Sequence, residues 1–428
     1  MILTVKPSLF LKDKVALPAS KSYSIRAFMI AACGGQSIII DPSDCDDAKV
    51  AMRTAKALGA KVKCIEHNSW EVHGASSARM AQVIDVQESG TVLRFILPLL
   101  ALRGEKVKVT GQGTLLGRPN LFLTEALRKM GVDIVGKGKN ESVPININSG
   151  ILQGGKIRID GGLSSQFISA LLITCPQLKE DTQLLLTGKS LVSTDYIMMT
   201  QQILHKSGVD IQQKNARKYL ITGNQKFKGL RKFTVPSDYG LAAFLMGAAV
   251  LNKSDVVLTG WLKDDLIQAD GHILPLLEKM GVKFQKTSKS IKIKGPQVLK
   301  GGVFSLKDCP DLVPIMSILA LFSKGKTKLT HIKHARVKES DRISDLREEL
   351  LKVGAKVEET EDTLIIDPQE DYRKDCLLNP HHDHRLAMAF CVLGTKVGVC
   401  VKDIECSAKS YPGFVKDFKA MGVNMMKK

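Results

Sequence analysis

The sequence has no C-x-x-C pair, and its nine cysteines are an odd number scattered along the chain. That excludes a disulfide framework and a C-x-x-C zinc ribbon, and suits free thiols in a reducing cytoplasm. Long apolar runs are also missing. Phe95–Leu102 and Ala242–Leu251 are among the longest, well short of a membrane span. Met1–Lys6 lacks the apolar core of a signal peptide and reads as a first strand. Aromatic residues make up only 5%, few for a base-stacking surface. Acidic residues are outnumbered, giving a net charge of +19. Such an excess could serve nucleic acid. The lysines are spread over the whole chain, however, so small anionic substrates are the better reading, with no nucleic acid and no membrane. Nucleotide fingerprints are absent as well. Gly111-Gln112-Gly113-Thr114 lacks the third glycine of G-x-G-x-x-G, and Gly188-Lys189-Ser190 has no glycine five residues upstream for a P-loop.

What remains is an ordinary globular composition, 44% hydrophobic and 25% charged over 428 residues, long enough for two large domains. One pattern recurs six times: the end of a helix, a glycine, then an alternating strand. Ala57-Leu58-Gly59-Ala60-Lys61-Val62 matches Lys129-Met130-Gly131-Val132-Asp133-Ile134. The other copies centre on Gly208, Gly281, Gly354 and Gly422, 68 to 77 residues apart. A C′ glycine closing a helix before a strand explains each. Six α/β units grouped into two domains are the natural packing. Pro-containing breaks at Leu17-Pro18-Ala19-Ser20 and Val235-Pro236-Ser237-Asp238 suggest the crossings. One domain is then 20–236, and the other is discontinuous, 1–19 with 237–428. A cleft between two such domains is a usual ligand site.

The chemistry concentrates at predicted helix starts. Arg336-Val337-Lys338-Glu339-Ser340-Asp341-Arg342 precedes an amphipathic helix carrying Ile343, Leu346, Leu350 and Leu351. Ser340 is its expected N-cap, with Arg342 in the first turn. Cations beside free helix N–H groups suit a phosphate or carboxylate. Glu339, forced beside such an anion, is a candidate proton carrier. Lys21, Ser22 and Arg26 begin another helix, Ser22 and Arg26 sharing a face. Gly90 opens the helix after Glu88-Ser89, allowing close approach of a ligand. Arg118 stands at a helix start with Pro119 expected at N1. Ser164, Ser165 and Gln166 precede a helix at Phe167–Thr174, where hydroxyls, an amide and N–H groups converge. Ser193 and Tyr196 lie at a further start. Asp311 precedes an apolar helix, Leu312–Leu321. His381-His382-Asp383-His384-Arg385 places Arg385 at a helix start, and its adjacent residues point apart, so no metal is expected. Lys409 precedes the last helix. Lys21, Arg26, Arg118, Lys338, Arg342, Arg385 and Lys409 come from both domains. Their repulsion is expected to hold the cleft open until anions close it. Lys21, Asp311 and Glu339 are the candidate acid–base groups.

Taken together, in order from Leu17 to Pro412, these blocks resemble the 3-phosphoshikimate 1-carboxyvinyltransferase (5-enolpyruvylshikimate-3-phosphate synthase) family. The resemblance rests on Lys21-Ser22 with Arg26, Ser89-Gly90-Thr91 with Arg94, Arg118-Pro119, Ser164-Ser165-Gln166-Phe167, Pro310-Asp311, the Arg336–Arg342 run, Asp383-His384-Arg385-Leu386-Ala387-Met388 and Ala408-Lys409. It implies an α/β fold of two similar domains, each of three βαβαββ units, an inside-out α/β barrel. It implies transfer of the enolpyruvyl group of phosphoenolpyruvate to the 5-hydroxyl of 3-phosphoshikimate, with release of phosphate, in aromatic amino acid biosynthesis. By the same resemblance Lys21, Ser22, Arg26, Ser164, Ser165, Gln166, Ser193, Tyr196, Asp311 and Lys338 would hold 3-phosphoshikimate. Lys21, Gly90, Arg118, Gln166, Arg342, Arg385 and Lys409 would hold phosphoenolpyruvate. Asp311 would accept the hydroxyl proton, and Glu339 and Lys21 would donate. No metal or organic cofactor is implied, and a cytoplasmic monomer is expected. Glu88 and His334 stand where the family often has Asn. His334 falls where the substrate phosphate is usually contacted, and a protonated imidazole is expected there. The nearest rival, UDP-N-acetylglucosamine enolpyruvyl transferase, expects a reactive cysteine on a long lid loop. None of Cys33, Cys45, Cys64 and Cys175 falls in such a loop.

Overall fold

The structure, a computed structural model, describes residues 1–75 and 81–427. The chain forms two compact units, one of Met1–Pro18 with Pro236–Lys428, the other of Ala19–Val235. Both are mixed α/β. Six four-stranded sheets are present among the described residues, three in each unit. In one, Val83–Asp85, Val107–Thr110, Ser142–Ser149 and Asp133–Lys137 are neighbours in that order. Its first pair is parallel and the rest antiparallel. Three sheets are completed by remote strands, one of them by Leu11–Ala16 in parallel with Ser254–Thr259. Arg231–Thr234 pairs in parallel with Gln36–Ile40, and Ile2–Val5 lies between Val399–Lys402 and Met425–Lys427.

The inserted unit contains helices α1 (Lys21–Ala31), α2 (Asp46–Ala57), α3 (Gly90–Ala101), α4 (Leu121–Lys129), α5 (Ser165–Thr174) and α6 (Thr194–Lys206). The other contains α7 (Tyr239–Leu251), α8 (Ile273–Lys279), α9 (Val313–Leu321), α10 (Ser344–Lys352), α11 (His384–Val397) and α12 (Phe414–Ala420). The six predicted closing glycines, Gly59, Gly131, Gly208, Gly281, Gly354 and Gly422, all have φ between +82° and +97°. That left-handed conformation is open to glycine without the Cβ clash.

Two kinds of helix alternate. All thirteen residues of α7 and all nine of α9 are buried, as are thirteen of the fourteen in α11. A helix apolar all round has to lie inside the protein. These three pack on one another at the centre of their unit. The inserted unit repeats the scheme: α1, α3 and α5 are mostly buried and α3 packs on both of the others. By contrast α2 and α10 bury six of twelve and three of nine residues. The inner helices position the site, because the N–H groups at a buried helix start must find partners away from bulk water. Among the described residues no helix is long and apolar enough to cross a membrane.

Candidate active site

In the inserted unit, three inner helices present their first turns. Ser20 caps α1 by accepting the Tyr23 N–H, so Lys21 and Ser22 stand in the first turn. Lys21 Nζ lies 3.2 Å from Asp47 of α2, and Asp47 is itself buried. Arg26 is 1% exposed. Its guanidinium donates to Thr200 Oγ1, the Ser22 carbonyl and the Tyr196 carbonyl, all neutral oxygens. It lies against the rings of Phe95 and Tyr196. Burial lowers its pKa to about 10, opposed by Tyr23 and Tyr196, so it keeps its charge at neutral pH. A buried cation held by neutral oxygens is a strong attractor for an anion.

Gly90 begins α3 beneath Arg118: a Cβ there would lie 3.0 Å from the Arg118 guanidinium carbon. Arg118 precedes α4, but Pro119 does not occupy N1 as expected. Asn120 is the N-cap and the helix starts at Leu121. The reason is the Asn120 side chain, whose Nδ2 donates to the carbonyls of Arg118 and Glu141 and so prolongs the turn. The α5 helix starts two residues before Phe167, because Ser164 Oγ accepts the Gln166 N–H and caps it. Ser165 and Gln166 thus lie within its first turn. Ser193, in the left-handed conformation with φ 56°, and Tyr196 flank the start of α6.

In the other unit, Asp311 sits in a 3-10 turn, Pro310–Leu312, ahead of α9. The expected helix Leu312–Leu321 therefore begins in a tighter turn. Asp311 lies between the two cap positions, Cys309 and Leu312, neither of which makes a side-chain cap. Its carboxylate binds Arg342 Nη1 at 2.7 Å and Arg385 Nη2 at 2.8 Å, with Lys338 Nζ at 3.9 Å. Burial raises its pKa, but Arg385, Arg342 and Lys338 outweigh this and hold it well below the usual carboxylate range. Arg342, 1% exposed, also donates to Glu339 at 3.0 Å and to Asp383 through Nε at 2.7 Å. Burial disfavours its charge, and Asp383, Asp311 and Glu339 together more than restore it. Lys409 Nζ is 3.9 Å from Glu339. Asp383, fully buried, caps α11 by accepting the Arg385 N–H, which ties Arg385 to Arg342.

Three expectations are corrected here. Ser340 is not the N-cap of α10. The helix starts at Ser344, and Asp341 Oδ1 takes the N–H groups of Ile343 and Ser344. A carboxylate is the stronger acceptor at a helix start, so Arg342 stands before the helix. Arg336 belongs to the scaffold. It clamps Asp341, Ser344 and the carbonyls of Thr360 and Glu361, holding the segment open at its turn. Second, Lys338, Arg342, Arg385 and Lys409 are not bare cations, since each faces a carboxylate. Third, His334 is neutral. Burial depresses its pKa to about 3, helped by Lys338 and Arg342 and opposed by Asp311 and a hydrogen bond to the Lys307 backbone. Its Nε2 is buried with no hydrogen-bond partner among the described residues.

His381 does meet acidic groups, contrary to the absence of a second ligand cluster in the sequence. Its ligand atom lies within 4.8 Å of those of Glu348 and Glu349. Glu349, however, already accepts Lys352 Nζ at 2.6 Å and the Asn379 N–H at 2.8 Å.

A model of the EPSP synthase (3-phosphoshikimate 1-carboxyvinyltransferase) family matches residues 5–418. The chain belongs to this family. It is 35% identical over 424 residues to 3-phosphoshikimate 1-carboxyvinyltransferase of Clostridium perfringens, covering 96% of each chain. It is 34% identical over 431 residues to the protein of that name from Methanococcus maripaludis, covering 99% of each. Among solved structures, the EPSP synthase of Acinetobacter baumannii superposes with a TM-score of 0.79 at 25% identity, over 99% of both chains. Membership accounts for the α/β fold. The pairings made by Asp47, Asp383 and Asp270, the last 3.5 Å from Arg385 Nη2, are additions from the geometry, since the sequence motifs pointed to none of these three as site residues.

Proposed function

We propose that this chain is a 3-phosphoshikimate 1-carboxyvinyltransferase, joining the enolpyruvyl group of phosphoenolpyruvate to the 5-hydroxyl of 3-phosphoshikimate. The observation that carries this reading is Arg342, one buried guanidinium holding both Asp311 and Glu339. A proton acceptor and a proton donor are thereby kept on an anion-binding group, as addition of an alcohol to phosphoenolpyruvate requires. Asp311 takes the hydroxyl proton as the oxygen attacks C2. Glu339 or Lys21 delivers a proton to C3, giving a tetrahedral adduct. Loss of a C3 proton then expels phosphate and restores the double bond. Lys21, Gly90, Arg118, Gln166, Arg342, Arg385 and Lys409 hold phosphoenolpyruvate. Arg26, Ser22, Ser164, Ser165, Gln166, Ser193, Tyr196 and Lys338 hold 3-phosphoshikimate. The step consists of proton transfers and anion binding, so no cofactor enters. The six sheets are read as six βαβαββ units of an inside-out α/β barrel.

The cysteines speak against the reactive-thiol rival. Burial raises Cys33, Cys45 and Cys175 to about 12, 11 and 12, where a thiolate is scarce. Cys64 lies in a strand, Lys61–Glu66. Inorganic phosphate release is expected with both substrates together and not with either alone. Release from phosphoenolpyruvate alone, or none with both, refutes the reading.

His334 yields a second expectation. Free in an unfolded chain it would titrate near 6.5, whereas here it stays neutral down to about 3. Acid therefore favours the unfolded chain over that window, and stability falls as pH drops through it. If the substrate phosphate meets His334 as the protonated imidazole expected from the sequence, the ring gains a proton on binding. Calorimetry of 3-phosphoshikimate binding at pH 7, in two buffers of different ionisation heat, is expected to show proton uptake that His334→Asn abolishes. Equal uptake by both proteins would remove His334 from the phosphate contact.

A further inference from the structure

Arg94 is 3% exposed, in the second turn of α3. Its Nε donates to Asn120 Oδ1 at 3.2 Å and its Nη2 to the Pro119 carbonyl at 3.1 Å. Its Nη1 donates to Gln166 Oε1 at 2.5 Å. The guanidinium lies over the Phe167 ring, 5.3 Å from its centroid. One planar group thus braces two separate segments. The first is the turn at 117–120, whose Asn120 carries the strut on to the Arg118 carbonyl at 3.1 Å. The second is the start of α5. Gln166 Nε2 also donates one hydrogen to Thr91 Oγ1 at 3.0 Å. With its oxygen on Arg94 and one N–H on Thr91, the Gln166 amide cannot flip without losing both bonds. The hydrogen it has left is a donor, the polarity an anion needs.

We propose that Arg94 is the positioning residue of the phosphoenolpyruvate-binding groups on this unit: it sets the Arg118 turn and fixes the Gln166 amide as a hydrogen-bond donor. This rests on the assignment of Arg118 and Gln166 to phosphoenolpyruvate. A guanidinium fork is required, because three diverging acceptors in one plane exceed what a lysine ammonium can reach from the same backbone.

Steady-state kinetics of the full chain test it. Arg94→Lys is expected to raise the KM for phosphoenolpyruvate at least about tenfold, with kcat within about threefold, the signature of lost binding rather than lost chemistry. Arg94→Ala is expected to be worse, and added guanidinium ion is expected to lower its KM again. Asn120→Ala, which cuts the strut beyond Arg94, is expected to raise the same KM even if the Arg94 variants do not fold. KM values within twofold of the parent for the folded variants overturn the inference, as does a fall in kcat with KM unmoved. A parent protein without turnover overturns the functional reading, and this inference with it.

Discussion

Asp311→Asn is expected to lower kcat by roughly 10²–10⁴, the usual contribution of a positioned base, while phosphoenolpyruvate binds at least as tightly as before. The two effects run in opposite directions for one reason. The Asp311 carboxylate spans Arg342 and Arg385 at 2.7 and 2.8 Å, the two guanidinia assigned to the substrate anion. An incoming carboxylate or phosphate competes with it for both. Asparagine keeps the shape but not the charge, so the competitor is gone. The same pairs make Asp311 a weak base, held well below its ordinary pKa chiefly by Arg385 and Arg342 against the pull of burial. Once phosphoenolpyruvate occupies those arginines, Asp311 keeps Lys338 and its basicity rises. Base strength is then linked to substrate occupancy. Titration calorimetry with phosphoenolpyruvate and single-turnover kinetics check the two halves. Near-full turnover ends the base assignment, and weaker phosphoenolpyruvate binding ends the competition.

Asp383→Ala is expected to destabilise the protein by about 3–5 kcal/mol, the range for removing one partner of a buried ion pair. Asp383 is fully buried and accepts from Arg342 Nε, Arg342 Nη2, Ser340 Oγ and the Arg385 N–H. Alanine leaves the Arg342 guanidinium short of its closest partner and α11 without a cap. Asp311 and Glu339 still face Arg342, so its charge is not wholly abandoned. Urea denaturation of parent and variant measures the difference. A loss below about 1 kcal/mol would make Asp383 an ordinary cap.

The sequence exposes what is local. An α/β class and six left-handed glycines follow from helix ends and strand alternation within a few residues of each other. The helix starts carrying Lys21, Gly90, Ser164 and Arg385 also follow from caps and apolar runs. What escaped was pairing over distance. Arg342 meets Asp383 across 41 positions and Arg94 meets Gln166 across 72. No periodicity encodes either, because such contacts depend on how whole helices pack. The cap of α10 escaped for a different reason. Ser340 and Asp341 are adjacent acceptors, and only the backbone path set by the Arg336 clamp decides between them. The charge excess misled because it is a sum over the chain, whereas Lys338, Arg342 and Arg385 share the carboxylate of Asp311.

The remote strands have a consequence for synthesis on the ribosome. By the time Arg231–Thr234 emerges and joins Gln36–Ile40, the inserted unit has all of its sheet partners. The other unit is in the opposite position. Leu11–Ala16 must wait for Ser254–Thr259, and Ile2–Val5 for Val399–Lys402. Leu11–Ala16 therefore stays unpaired until past the middle of the chain, and Ile2–Val5 almost to its end. Such edges invite wrong pairing between nascent chains. The lysines and aspartate of Leu11–Ala16, at positions 12 to 14, put charge on one of these waiting strands and discourage that encounter.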